Sequence, residues 1–321
     1  MPHRTIHVAA PSRLHFGMFA FGDASSRQFG GAGAMIDRPG LRLTISPSAQ
    51  LEVHGLLSDR ALDFVRRWIL ARCMTEEPRC RVQIVAAPRQ HVGLGVGTQL
   101  GLSVAAGLNA YFDRRSESPP ELAQSVGRAK RSAVGTYGFA HGGLLAECGR
   151  LATEAVSPLD LRVDLPGKWR FVLICPRGRE GLSGEAERRA FRELPPVPET
   201  MKDQLVREIH VRLMPAAADA KFDDFSESLY RYGHAAGMCF ADQQNGPFAG
   251  PRLTELVQVI RRMGVRGVGQ SSWGPTLFAL LPGESEASMF VDQLAGNTST
   301  GDLELVITTP NNTGARVQVE G

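Results

Sequence analysis

The chain has 321 residues, enough for one large domain or two closely joined ones. Hydrophobic residues make up 43% and charged residues 21%, the balance of a globular protein with a sizeable core. The net charge of +3 is too small to argue for nucleic acid and mildly favours an anionic small substrate. Basic pairs such as Arg66-Arg67 and Arg261-Arg262 lie among acidic residues and read as solvated helix faces. Cys73, Cys80, Cys148, Cys175 and Cys239 are odd in number and form no Cys-x-x-Cys pair. They read as buried small hydrophobes of a reduced protein. No charged-then-apolar leader pattern and no apolar run of membrane-spanning length is present, so a soluble cytoplasmic protein without membrane or nucleic-acid partners is expected.

In chain order, Ile6–Ala10 alternates as a strand and is expected to stop at Pro11. Ser12-Arg-Leu-His-Phe-Gly17 and a Gly/Ser-rich loop follow. Ala34–Ile36 and Leu41–Ile45 read as two meander strands, with Arg38-Pro-Gly40 as the turn between them. Ser58-Asp59 can cap a helix through Leu62, Val65, Ile69 and Leu70. Arg81–Ala86 alternates as a strand. Then comes His91-Val-Gly-Leu-Gly-Val-Gly-Thr-Gln-Leu-Gly101, from which Leu100, Val104, Leu108 and Phe112 continue at helical spacing.

That glycine stretch organises the chain. Gly93, Gly95 and Gly97 let the backbone turn its N–H groups inward, and a helix N-terminus adds partial positive charge. Such a place binds phosphate or diphosphate, with Thr98 and Gln99 at the helix start. The alternative is a plain flexible turn before a core helix. The loop has no Gly-Lys-Ser/Thr ending and no Gly-x-Gly-x-x-Gly spacing, which argues against a Walker loop and a dinucleotide fold.

Pro119-Pro120 opens a further helix that is expected to end near Lys130-Arg131, and 132–143 reads as a second glycine-rich loop leading into a strand. Arg170–Cys175 is a strong buried strand. Helices are expected over 183–193, 199–213, 222–240, 251–263 and 284–294. A third glycine loop, 264–274, precedes the strand Thr276–Leu280, and strands near 303–307 and 315–319 close the chain.

Three motifs in this order resemble the superfamily of galactokinase, homoserine kinase, mevalonate kinase and phosphomevalonate kinase. They are Ala10-Pro-Ser-Arg13, Gly93-Leu-Gly-Val-Gly-Thr-Gln99 and Gly267-Val-Gly-Gln-Ser-Ser-Trp-Gly-Pro275. Many kinases of that group carry an aspartate base in mid-chain, whereas Arg131–Phe139 contains no carboxylate. Ser12-Arg-Leu-His-Phe-Gly17, Phe29–Gly33, Arg131–Gly135, Phe139–Gly143 and Gly269–Pro275 resemble a branch that is not a kinase, the β-ribofuranosylaminobenzene 5′-phosphate synthases.

That resemblance implies an α+β, two-lobed fold. Residues 1–164 would form a lobe like ribosomal protein S5 and residues 165–321 a ferredoxin-like lobe. It implies condensation of phosphoribosyl diphosphate with 4-aminobenzoate or 4-hydroxybenzoate, releasing carbon dioxide and diphosphate, early in methanopterin biosynthesis. Magnesium bound with the diphosphate is expected, ATP is not, and a homodimer is the expected state. An ATP-dependent small-molecule kinase of the same fold is the alternative reading, and a non-catalytic metabolite-binding protein a third.

On this resemblance Arg13 lies near the departing phosphate and Gly93 to Gln99 hold the diphosphate. If its segment is extended, His15 shares a face with Arg13. It is then a candidate for substrate binding or proton handling, or else an ordinary strand histidine. Lys130 and Arg131 hold the 5′-phosphate or the benzoate carboxylate, or complement a helix dipole. His141 faces the site or only a turn. Gln270, Ser271 and Ser272 offer polar groups to substrate, and Trp273 either stacks on the acceptor or packs in the core. The metal ligands are left unassigned.

Overall fold

The computed structural model describes residues 4–23, 25–297 and 301–320. Its first part runs β1 (Thr5–Met18), β2 (Gly31–Pro47), β3 (Glu52–Gly55), α1 (Ser58–Ala71) and β4 (Cys80–Ala86). Next come α2 (Val96–Tyr111), α3 (Pro119–Ser125), α4 (Val134–His141), β5 (Leu144–Glu147) and β6 (Leu159–Val163). After β7 (Arg170–Pro176) a helical stretch follows: α5 (Gly184–Glu193), α6 (Glu199–Arg207), a π-helical turn (Glu208–Leu213) and α7 (Met214–Ala218). It continues with α8 (Phe222–Met238), α9 (Ala241–Gln244) and α10 (Pro251–Arg262). β8 (Val268–Gln270), β9 (Leu277–Leu281), α11 (Glu284–Asn297), β10 (Leu303–Thr308) and β11 (Arg316–Glu320) complete the chain.

One sheet has the order β11-β1-β2-β4-β3, with β5 paired to β2 and β6 to β5. The other has the order β10-β7-β9-β8, and helices intervene between β7 and β8 and between β9 and β10. That second arrangement is the split β-α-β pattern of ferredoxin-like folds. β11 returns to pair antiparallel with β1. The core reflects this layering. Leu14 and Phe16 of β1 pack with Leu173 and Phe278 of the second sheet and with Leu229 and Tyr232 of α8. The opposite face of β1 buries Ile6 and Val8 with α1 and α2. α2 is enclosed along nearly its whole length, and Leu100, Val104 and Leu108 form the buried stripe the spacing predicts.

Several expected boundaries move. β1 does not stop at Pro11 and β2 is one strand through Arg38-Pro39-Gly40, not two with a turn. The reason is a register shift: Ala10 faces Leu41 but Ser12 faces Ile36, so both prolines fall where no ladder bond is needed. α1 begins at Ser58 after a left-handed Leu57, with no side-chain cap, so Ser58-Asp59 does not cap it. Part of the expected loop 132–143 is the helix α4. A Cβ on its Gly138 would lie 2.2 Å from Met35 Sδ, so this glycine serves close packing on β2. α3 ends at Ser125, and Gly127 and Ala129 turn the chain with positive φ. Lys130 and Arg131 therefore stand beyond the helix and complement no dipole of it. The helix expected at 199–213 passes through the π-helical turn into α7. Among the described residues all five cysteines are free, and no helix is long and apolar enough to cross a membrane.

Candidate active site

The N-terminal turn of α2 is ringed by arginines from three other elements. Gly95 caps it with φ 72, a left-handed conformation that suits glycine. Arg13 from β1 lies under the loop, its Nη2 donating to the Gly93 carbonyl at 3.3 Å. Arg60 from α1 reaches over Gly97, where an added Cβ would sit 2.1 Å from Nη2, and its Nη1 donates to Gln90 at 2.7 Å. Arg128 donates to the Thr98 hydroxyl at 3.2 Å. Burial first, then repulsion from Arg60, Arg131 and Arg13, brings the Arg128 guanidinium down to about 10. Burial brings Arg13 to about 10 as well, against the attraction of Glu147 and Glu187. The Nε atoms of Arg13 and Arg128 are buried without hydrogen-bond partners. Orphaned donors on crowded cations beside a helix N-terminus make a cradle for a polyanion.

A set of short bonds locks this cradle to β1 and to the third glycine loop. The Ser271 hydroxyl donates to the Gly93 carbonyl at 2.7 Å and accepts the His15 N–H at 3.0 Å. The Ser272 N–H donates to the His15 carbonyl at 2.9 Å. A Cβ on Gly93 would lie 2.3 Å from the Ser271 carbonyl oxygen, so this glycine is fixed by close approach. Gln99 ties α2 to α4, donating to the Gly135 carbonyl at 2.9 Å. His15 itself is buried, 3.0 Å through Nε2 from the Ser132 hydroxyl. Burial and then Arg13 push its pKa well below the ordinary 6.5, so the imidazole is neutral.

On the other side of His15 an aromatic pocket opens. It is lined by His15, Phe191, Phe240, Gln244, Ser272 and Trp273 among others. Trp273 meets Phe240 edge-on at 4.8 Å between ring centroids and Phe191 at 5.5 Å. It lines the pocket wall and is only half-buried, so it is not a core residue. α5 closes this side. Its Glu187 accepts from Arg131 at 2.6 Å and its Phe191 ring lies 4.8 Å below the Arg131 guanidinium. Glu187 also attracts Arg13 and Arg128, which makes it the carboxylate that answers the cradle.

The structure thus brings Arg13, His15, the 93–99 loop, Arg131, Gln270, Ser271, Ser272 and Trp273 together. Gln270 is spent on structure, accepting from the Ala249 N–H at 2.6 Å and donating to the Ser272 carbonyl at 3.0 Å. Lys130 and His141 stand apart. Lys130 is exposed, and His141 is exposed at the end of α4, away from the residues lining the pocket. Arg60 and Arg128, which the sequence does not single out, stand beside the loop where further basic residues were expected. Their only sequence signal was a basic side chain within reach of a glycine loop, which many surface arginines share.

A carboxyl also reaches the loop that contains none. Glu147 at the end of β5 is buried, and its Oε2 accepts the Ala133 N–H at 2.7 Å. Burial lifts its carboxyl from 4.5 to about 7, against bonding from Ser132 and the Ala133 N–H that favours the ionised form. Among the described residues no group of three or more His, Cys, Asp or Glu could hold a metal ion.

No family model matches the chain. It is 24% identical to the β-ribofuranosylphenol 5′-phosphate synthase of Methanothermobacter thermautotrophicus, covering 96% of this chain and 97% of that protein. The protein of that name from Archaeoglobus fulgidus is 26% identical over 86% of this chain and 87% of its own length. Among solved structures, homoserine kinase from Cytophaga hutchinsonii superposes with TM-score 0.67 at 15% identity, covering 99% of this chain and 98% of its own. Mevalonate pyrophosphate decarboxylase from Streptococcus pyogenes gives 0.69 at 11% identity, covering 97% and 98%. The fold is the one these homoserine kinase and mevalonate pyrophosphate decarboxylase structures share. The resemblance to synthases carried by the segments from Ser12–Gly17 to Gly269–Pro275 extends, through relatives of that name, over 86–96% of the chain.

Two predictions follow from the cradle and its neighbour. Gly97→Ala displaces only the tip of Arg60, and alanine suits a helix better than glycine by about 1 kcal/mol. The variant is expected to melt no lower than the wild type yet to bind inorganic diphosphate several-fold more weakly by calorimetry; wild-type affinity would remove Arg60 from the cradle. For Glu147 the folded state holds an extra proton between pH 4.5 and about 7, so stability falls as pH rises through that window. At about 1.4 kcal/mol per pKa unit the fall is on the order of 3 kcal/mol. Urea unfolding of Glu147→Gln across that window should show a flatter pH dependence than the wild type, and an equal slope would refute the assignment.

Proposed function

We propose that the protein transfers a 5-phosphoribosyl group from phosphoribosyl diphosphate to a ring carbon of 4-hydroxybenzoate, with loss of carbon dioxide and diphosphate. The observation that carries this reading is the junction of an arginine cradle and an aromatic pocket at one neutral histidine, His15. A phosphorylated, diphosphate-bearing sugar suits the first, and a flat aromatic acid the second. The relatives are named for a ribofuranosylphenol phosphate, which favours the hydroxy acceptor over 4-aminobenzoate.

The chemistry asks little of covalent groups. Bond breaking at the anomeric carbon develops positive charge on the sugar and negative charge on the leaving diphosphate. Arg13, Arg60 and Arg128, with the N–H groups of the α2 turn, answer the second charge from a site organised before reaction. Arg131 lies between cradle and pocket, over the Phe191 ring, and can take the acceptor carboxylate or the 5-phosphate. Attack through the ring carbon that bears the carboxylate leaves a cationic ring, and carbon dioxide departs as aromaticity returns. The His15 imidazole, neutral and lining the pocket, can bond the acceptor without adding a second positive charge beside Arg13. Glu187, the carboxylate bonded to Arg131 beside the cradle, is the residue that would face a magnesium ion, which when bound would supply further neutralisation of the diphosphate charge.

Two outcomes test this. Purified protein with magnesium, phosphoribosyl diphosphate and carboxyl-labelled 4-hydroxybenzoate should release labelled carbon dioxide and diphosphate without ATP. A kinase would instead consume ATP with a hydroxylated acceptor, and a binding protein would release nothing. Diphosphate loss no faster than without acceptor, for either benzoate, rules the reaction out. Arg13→Lys keeps the charge and loses the forked donor, so turnover should fall on the order of 10²-fold. Unchanged turnover would make Arg13 structural.

A further inference from the structure

The outermost strand of the larger sheet has an open edge whose sequence is complementary to itself. β11 pairs with β1 on one side, and among the described residues no strand pairs with its other side. All five of its residues, Arg316-Val-Gln-Val-Glu320, are exposed. An edge of this kind presents unpaired N–H and C=O groups that another strand can complete. Folds blunt such edges with prolines, bulges or inward-pointing charges. β11 has none of these, and its register is unbroken from Thr5 opposite Glu320 to Ala9 opposite Arg316.

Its two faces differ. Val317 and Val319 stand opposite Val8 and Ile6, so they share the face that α1 and α2 cover. The cover stops short, and Val317 keeps 39% and Val319 57% of its surface in solvent. Arg316, Gln318 and Glu320 lie on the opposite face. The Arg316 guanidinium has no hydrogen-bond or ion-pair partner among the described residues. Glu320 meets His7 in an exposed contact of 2.8 Å, which holds it weakly.

A second copy of the same strand answers both faces in one register. With β11 set antiparallel to the partner's β11 about a two-fold axis through Gln318, Arg316 falls opposite the partner's Glu320 and Glu320 opposite the partner's Arg316. Val317 falls opposite the partner's Val319, and the reverse, so four half-covered valines meet on the helix side. Moving the axis to Val317 or Val319 leaves charges without their opposites. Parallel pairing in register sets arginine beside arginine and glutamate beside glutamate, which is destabilising. We propose that the chain forms a homodimer through this edge, two copies of β11 pairing antiparallel about Gln318 so that one sheet runs through both. The contact is isologous and closes on itself, so assembly ends at two copies.

β6, at another edge of the same sheet, carries a similar alternation, but its charges are bonded within the chain. Asp160 meets His210, and Arg162 donates to the His141 and Asn312 carbonyls. The β11 pairing also leaves the candidate site open. β11 lies along Thr5–Ala9, whereas Arg13 and His15 lie farther along β1, paired with β2. The dimer therefore does not depend on the transferase reading.

The test is the mass of the whole protein in solution, by sedimentation equilibrium across micromolar concentrations at low salt. The wild type should reach twice the 34.8 kDa of one chain. Arg316→Glu sets like charges opposite each other at two places and should weaken the dimer roughly tenfold. Adding Glu320→Arg to that variant restores opposite charges and should recover it. Gln318 alone would face its own copy, so Gln318→Cys should give a disulfide-linked dimer on mild oxidation. The wild type, with its five native cysteines, should not do so under the same conditions. All three positions are exposed, so none of these variants puts folding at stake. A monomer at every concentration overturns the proposal. So does a dimer that Arg316→Glu leaves unchanged, that the double swap does not recover, or that Gln318→Cys fails to cross-link.

Discussion

Positive charge held without enough negative charge to match it is the constraint on which this molecule turns. Arg13, Arg60, Arg128 and Arg131 crowd around one helix N-terminus, and Glu187 is bonded to one of them, Arg131. Burial strips both Arg13 and Arg128 of hydration, and neighbouring arginines repel Arg128 as well, which is why both are pulled down to about 10. The fold holds them there because their stems are built into elements that have other reasons to be where they are. Arg13 lies in a strand whose neighbours Leu14 and Phe16 form the centre of the core. Arg60 rides on α1, which buries Phe64, Val65 and Trp68. The deficit of negative charge is thus a stored preference for an anion, maintained by hydrophobic packing elsewhere.

Rigidity at this place comes from bonds that cross long distances in sequence. Ser271 joins residue 15 to residue 93, and Gly93 must be glycine because the Ser271 carbonyl would meet any Cβ. These pins are buried, so breaking one leaves an unsatisfied group in a dry environment. α5 is different. It buries only Ala190 along its length, and it meets the site through Glu187 and Phe191. A firm floor and a lightly held cover are what a site needs if it must admit a large anion and then exclude water.

Much of this was legible in the sequence, and the failures have physical causes. The glycine loop before α2, the alternation of β1 up to Pro11 and the stripe of α2 were readable because each depends on local spacing. The prolines at 11 and 39 misled, because a register shift in the pairing of β1 with β2 accommodates both, and pairing is not local. The glycines of 132–143 suggested a loop, whereas tight packing of Gly138 on β2 requires a small residue in a helix. Lys130 and His141 carry the right chemistry on the wrong side of a turn. Arg128 and Glu147 were missed for the converse reason: nothing in their immediate neighbours marks them, and tertiary structure alone aims them inward.

The absence of a carboxylate in Arg131–Phe139 pointed away from a kinase, and Glu147 refines that point. A carboxyl does lie against this loop, but behind Ser132 and His15, with no direct opening on the pocket. A base meant to take a proton from an acceptor hydroxyl must reach that hydroxyl. Here the group presented to the pocket is a neutral imidazole, and the walls beyond it are aromatic. On the transferase reading this is the useful exchange. Carbon attack on a sugar cation needs a polarised ring held in place more than it needs a strong base. On that reading an anion cradle on this fold serves a leaving diphosphate as well as it would a transferred phosphate, because both ask for the same thing: fixed donors aimed at oxygens whose charge grows as the bond breaks.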